Sequence, residues 1–181
     1  VRPTADLHDA LADLLEYPGN GHAARVDRAL GAVAAEIPEA AADLEPLARA
    51  AREQTLGECE ETYVRTFDGN TERALEVGWQ VFGEQYARGQ FLVRLRVLMR
   101  DAGVAESTEL PDHLTNVLRL LGRMPEDEAR VLIARAVEPS LRRIRKDLED
   151  SNPYAGVLGA VAKAAARHAV PEAAAAGGTR P

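Results

Sequence analysis

Large aromatic side chains are scarce in this chain, with one Trp, four Tyr and three Phe among 181 residues. Most of them fall between Tyr63 and Phe91, so any aromatic surface is concentrated in that stretch. Cysteine is limited to Cys59, which excludes an intrachain disulfide and argues against a thiolate metal site within one chain. The series Leu56, Cys59, Tyr63, Phe67 has apolar helical spacing, so Cys59 is expected to be a buried, inert thiol. No apolar run approaches the ~20 residues of a membrane span. No basic region followed by an apolar core marks a signal peptide, so a cytoplasmic protein is expected. Positive charge is also short. A net charge of -7 argues against a general nucleic-acid binder, which needs a basic face. It suits a cationic partner, although moderate acidity also serves solubility alone.

Catalytic signatures are missing as well. There is no Gly-x-x-x-x-Gly-Lys phosphate loop, no Gly-x-Gly-x-x-Gly and no Gly-x-Ser-x-Gly. The four histidines, His8, His22, His113 and His168, are scattered. Glu109 and His113 stand four apart but straddle Pro111, a weak metal signal, and no metal site is expected.

What is present is helix. Ala is abundant, β-branched residues are few and hairpin turn pairs are nearly absent. Leu7, Leu11, Leu14 and Leu15 share one face after Thr4, a candidate N-cap, and the Tyr17-Pro18-Gly19-Asn20-Gly21 stretch stops that helix. Val26, Leu30, Val33 and Ile37 mark a second helix. A third follows over about 39–51, and Leu56, Tyr63, Val64 and Phe67 mark a fourth. The pattern over 71–83 is irregular and predicts a loop or short helix carrying Trp79. Phe91, Leu92, Leu95, Leu98 and Met99, widened by Val93 and Val97, predict a helix central to a bundle. A polar linker spans 101–109. Leu114, Val117, Leu118 and Leu121 form the clearest amphipathic stripe. Two more helices follow, one bent near Pro139 and one after Ser151-Asn152-Pro153. These readings predict an all-α fold: a single helical bundle domain of about seven or more helices over 1–168, with a flexible tail over 169–181.

Two segments carry the unusual residues. One holds Tyr63, Phe67, Trp79, Phe82 and Tyr86. The other is Glu109-Leu110-Pro111-Asp112-His113-Leu114. Asp112 and His113 point about 100° apart on a helix and do not form a natural dyad. Asp112 either charges the start of the Leu114 helix or faces a groove with His113. Trp79 stands between glycines in the least periodic stretch, which favours a binding anchor over a core position. Arg88-Gly89 is either a helix-interior packing feature, with Gly89 allowing close helix approach, or the site of a salt bridge from Arg88 to an acid such as Asp68 or Glu84, and a structural role is expected for Arg88.

Those residues resemble a known family. Tyr63, Phe67-Asp68, Gly83-Glu84, Arg88-Gly89, the Glu109-to-Leu114 motif, Ser151-Asn152-Pro153-Tyr154 and the early Leu14-Leu15-Glu16-Tyr17-Pro18 resemble the TorD/NarJ-type redox-enzyme maturation chaperones, over about residues 7–165. The pattern is most similar to the nitrate reductase delta-subunit branch, leaning toward chaperones of type II enzymes of the dimethyl-sulfoxide reductase family. The resemblance implies a TorD-like helical fold and a chaperone rather than an enzyme. Such a chaperone binds the apo catalytic subunit of a molybdenum-dependent oxidoreductase at its N-terminal leader and assists molybdenum cofactor insertion before assembly or export. It holds no cofactor stably itself. It implies a client site around Asp112, His113 and Glu109, with Trp79, Tyr63, Phe67 and Tyr86 as candidate anchors. Tyr63 and Phe67 remain equally readable as core. A monomer or a domain-swapped dimer hinged at 101–109 is implied. Two other readings stay open: a small-molecule-binding regulatory module using Trp79 and Tyr86, and an enzyme using Asp112 and His113.

Overall fold

The computed structural model describes residues 2–169. The described residues form helices joined by links and contain no β-strand. Helix α1 (Ala5–Leu14) begins at Thr4, whose side chain accepts the Leu7 N–H at 3.1 Å. That bond satisfies one of the donors every helix start leaves open. Gly21, at φ +79°, turns the chain into α2 (His22–Glu36). Helix α3 (Ala41–Glu53) runs through Pro46. Helix α4 (Leu56–Thr66) starts from a reciprocal Thr55–Glu58 cap. The short α5 (Val77–Phe82) carries Trp79, and α6 (Tyr86–Asp101) follows.

The bundle is centred on α7 (Leu114–Leu121), not on α6. Seven of the eight α7 residues are buried, whereas α6 buries only Leu95 and Met99 and leaves Val93 62% exposed. The apolar count of α6 misled because Arg94, Arg96 and Arg100, all exposed, are interleaved with it. Arginines resist burial without partners, so α6 stays at the edge. Helix α7 packs on α1, and α10 (Ala155–Ala169) packs on α3.

Helix α8 (Glu126–Leu132) passes through a π-helical turn, Ile133–Val137, into α9 (Glu138–Arg145). The expected irregularity near Pro139 takes that form. Proline lacks an N–H and crowds the carbonyl four residues back, and a π turn relieves both. Cys59 is buried, and burial pushes its thiol pKa up, in keeping with an inert thiol. The expected tail over 169–181 falls outside the described residues, apart from the Ala169 backbone that closes α10.

Candidate functional site

The two unusual segments meet through their backbones. Val77 donates its N–H to the Asp112 carbonyl at 2.7 Å, and Leu114 donates to the Leu75 carbonyl at 2.9 Å. Glu76 and His113 thereby lie opposite each other in a single antiparallel bridge. The loop before α7 is held for this contact. His113 N–H closes a turn onto Leu110 O at 2.9 Å. Buried Asn116 donates to the same Leu110 carbonyl at 3.0 Å and accepts from Ser107 Oγ at 3.0 Å.

A cleft of about 340 Å³ opens beside the bridge. Its aromatic lining is Tyr17, Tyr63 and Phe67, and its polar lining includes Asp68, Glu76, Glu109 and His113. Tyr63 and Phe67 are both core and cleft wall. Each is nearly fully buried, and their rings pack edge to face with Tyr154 at 5.0–5.7 Å. The Tyr63 hydroxyl donates to Leu15 O at 3.0 Å. Burial, and then the Asp68 carboxylate, hold that hydroxyl far above its usual pKa.

The three cleft acids have no counter-charge. No Lys or Arg lines the cleft, and Asp68, Glu76 and Glu109 form no ion pair among the described residues. Burial and the nearby Glu76 raise the Asp68 pKa. His113 does not neutralise them, because burial lowers its pKa. His113, rather than Asp112, caps α7: its Nδ1 accepts from Thr115 N–H at 3.4 Å and lies 2.8 Å from Thr115 Oγ1. Neutral His113 with Nδ1 as acceptor carries its proton on Nε2, leaving an N–H donor.

Asp112 does not face the cleft. It is wholly buried, and its Oδ2 accepts from Arg88 Nε at 3.0 Å. Arg88 therefore pairs with Asp112, not with Asp68 or Glu84. The guanidinium also lies 5.7 Å from the centre of the Trp79 ring, within cation–π range. Trp79 is half-buried and donates Nε1–H to Thr71 O at 3.0 Å. The pairing needs Gly78, not Gly89. A Cβ at Gly78 would stand 2.6 Å from Asp112 Oδ2, whereas one at Gly89 would meet nothing within 4 Å. Asp112 is thus a positioning residue for the α5–α6–α7 junction.

Tyr86 is 83% exposed and lies on the α6 surface, away from the cleft. Trp79 lines a different depression, with Arg143 and Lys146, so the two aromatics do not form one small-molecule pocket. The expected residues that converge are Tyr63, Phe67, Glu109 and His113. Tyr17, Asp68 and Glu76 complete the cleft and were not singled out as site residues. Nothing in helical periodicity marks them, because all three lie in links between helices.

The family model described as nitrate reductase delta subunit matches residues 30–158 of the chain. No curated protein matches it.

Proposed function

Since the chain belongs to the nitrate reductase delta subunit family, we propose that it binds the N-terminal leader of an apo molybdenum-oxidoreductase catalytic subunit at the cleft beside the Glu76–His113 bridge. Family membership makes it a molybdoenzyme maturation chaperone in general terms. The observation that carries the finer reading is three unneutralised carboxylates, Asp68, Glu76 and Glu109, around an aromatic wall.

Such a site selects a cation on a flexible stem. A guanidinium meets carboxylates through charge-assisted, often bidentate hydrogen bonds. The exposed ring of Tyr17 favours the same cation through its quadrupole. His113 Nε2–H is placed to donate to a peptide carbonyl. A leader carrying paired arginines beside an apolar stretch has the matching chemistry. Held there, the leader is withheld from the export machinery while the cytoplasmic apo subunit receives its molybdenum cofactor, which is cargo of the client.

Calorimetry on the isolated client leader tests this reading. We expect Glu109→Lys or Glu76→Lys to weaken binding at least tenfold with helicity retained, and Arg→Gln changes in the leader to do the same. Leader affinity indifferent to both reversals would overturn the cleft as the site. Failure to capture any apo catalytic subunit on co-expression would overturn the client assignment.

A further inference from the structure

Helix α6 has two apolar faces, and the fold uses one of them. Leu95 and Met99 are buried, with Phe91 and Leu98 packed against the core beside them. Val93 lies two residues before Leu95, about 200° around the helix, and is 62% exposed. Tyr86 and Val97 share that outward face at 83% and 40% exposed. Gly89 lies among them, and a Cβ there would meet nothing within 4 Å. Arg94 lines the groove against α8 instead. Among the described residues this outward face has no partner, and an exposed apolar helix face marks an interaction surface.

The face is complementary to itself in one orientation. A two-fold axis through Val93, perpendicular to the helix, runs two copies of α6 antiparallel. Each residue then meets the one equally far along on the other side of Val93. Val97 enters the recess left by Gly89, whose missing side chain lets the backbones approach. Arg100 comes over the Tyr86 ring as a cation–π pair. Arg96 comes beside Gln90, whose side-chain oxygen can accept from it. A parallel pairing instead sets each arginine on its own counterpart, the like-charge case. Glu106 and Asp101, 3.8 and 3.5 Å from Arg96 and Arg100, keep the face near neutral, so a second copy is not repelled. The same two acids oppose an anionic bilayer, and the arginines stand within the apolar stripe rather than on its polar side.

We infer that the outward face of α6 joins two copies of this chain, antiparallel about Val93. A helix of 16 residues is about 24 Å long, and one face of it falls short of the ~800 Å² per partner of stable interfaces. The association is therefore weak and reversible, a monomer–dimer equilibrium rather than an obligate dimer. It differs from a domain swap through the 101–109 linker, which exchanges elements and does not require Val93 to meet Val93. It shares no residue with the acidic cleft.

The test places single cysteines on the full chain at exposed positions, and buried Cys59 makes the parent chain the blank. A short bis-maleimide should join Val93→Cys to itself at least tenfold faster than Val131→Cys, which is 56% exposed but off this face. Tyr86→Cys mixed with Arg100→Cys should join across chains, while neither joins well to itself. In sedimentation equilibrium, Tyr86→Arg should weaken dimerisation at least tenfold, because it sets arginine against Arg100. Adding Arg100→Glu should restore it, a rescue that a misfolded variant does not give. Positions 86 and 100 stand about 21 Å apart along one helix, so the rescue cannot arise within one chain. Glu109→Lys should leave self-association unchanged. Equal linking of Val93→Cys and Val131→Cys, preferential self-linking of Tyr86→Cys, a monomer at every concentration, or a dimer indifferent to Tyr86→Arg overturns the proposal. So does sedimentation with phosphatidylserine vesicles that Val93→Glu abolishes, in a chain that shows no self-association.

Discussion

Gly78 and Asp112 approach so closely that a Cβ on Gly78 would lie 2.6 Å from Asp112 Oδ2 and 2.9 Å from Phe91 Cδ1. The missing side chain is what lets α5 and α6 close over a buried carboxylate. Gly78→Ala is therefore expected to cost about 1–3 kcal/mol through overpacking. Gly89→Ala, on an open face of α6 with nothing within 4 Å, should instead stabilise by about 0.5–1 kcal/mol, as Ala does over Gly in a helix interior. Urea unfolding of the two variants checks the pair. Similar signs for both would refute the close-approach argument.

The Arg88–Asp112 pair sets up a second asymmetry. Removing Arg88 leaves a buried carboxylate uncompensated, and such losses cost about 3–5 kcal/mol. Arg88 is 21% exposed, so solvent should reduce that figure toward its lower end. Arg88→Met should thus destabilise more than Asp112→Asn, which removes the buried charge itself. In the double variant the two costs should not add. Additive costs in a double-mutant cycle would mean that the pair is not coupled.

The acidic cleft implies opposed effects on binding and stability. Asp68, Glu76 and Glu109 repel one another without a counter-ion. Replacing Glu76 or Glu109 by Gln should hold or raise the melting temperature while weakening leader binding. Added salt should narrow the binding difference, because exposed charges are screened over about 8–10 Å at 0.10–0.15 M. Loss of stability on neutralisation would show the acids to be structural.

A buried histidine chain predicts acid sensitivity. His168 Nδ1–H donates to Glu126 at 3.0–3.1 Å, which leaves His168 Nε2 to accept from His8 Nε2–H at 2.9 Å. His8 Nδ1 is buried without a partner. Burial first, then His168 and Arg2, bring the His8 pKa down from 6.5 to about 3. Below pH 6.5 the unfolded chain takes up a proton that the folded chain refuses. The stability present above pH 6.5 is therefore lost progressively as the pH falls toward about 3, at about 1.4 kcal/mol per pH unit for this residue. Thermal melts from pH 7 to pH 4 should show that slope, made steeper by His22, His113 and His168, whose pKa values burial also lowers. His8→Gln should flatten it, and an unchanged slope in that variant would remove His8 from the account.

The sequence by itself determined most of the helices and their ends. Thr4 as a cap, the stop at 17–21, the Pro139 irregularity and the buried stripe of α7 all follow from local chemistry, which acts within one or two turns. It also determined that the aromatic stretch and the Glu109-to-Leu114 motif carry the unusual residues. Only the tertiary structure decided what those residues do. Whether Asp112 faces a groove or an arginine depends on the α5–α6 crossing at Gly78, which no spacing within one helix encodes. Whether α6 is central or peripheral depends on where Arg94, Arg96 and Arg100 find water. The cleft draws Tyr17, Asp68, Glu76 and Glu109 from links, and the Glu76–His113 bridge joins the segments that carry Glu76 and Glu109. Periodicity reports a face of a helix. It does not report which distant loop that face, or its flanking turn, will meet.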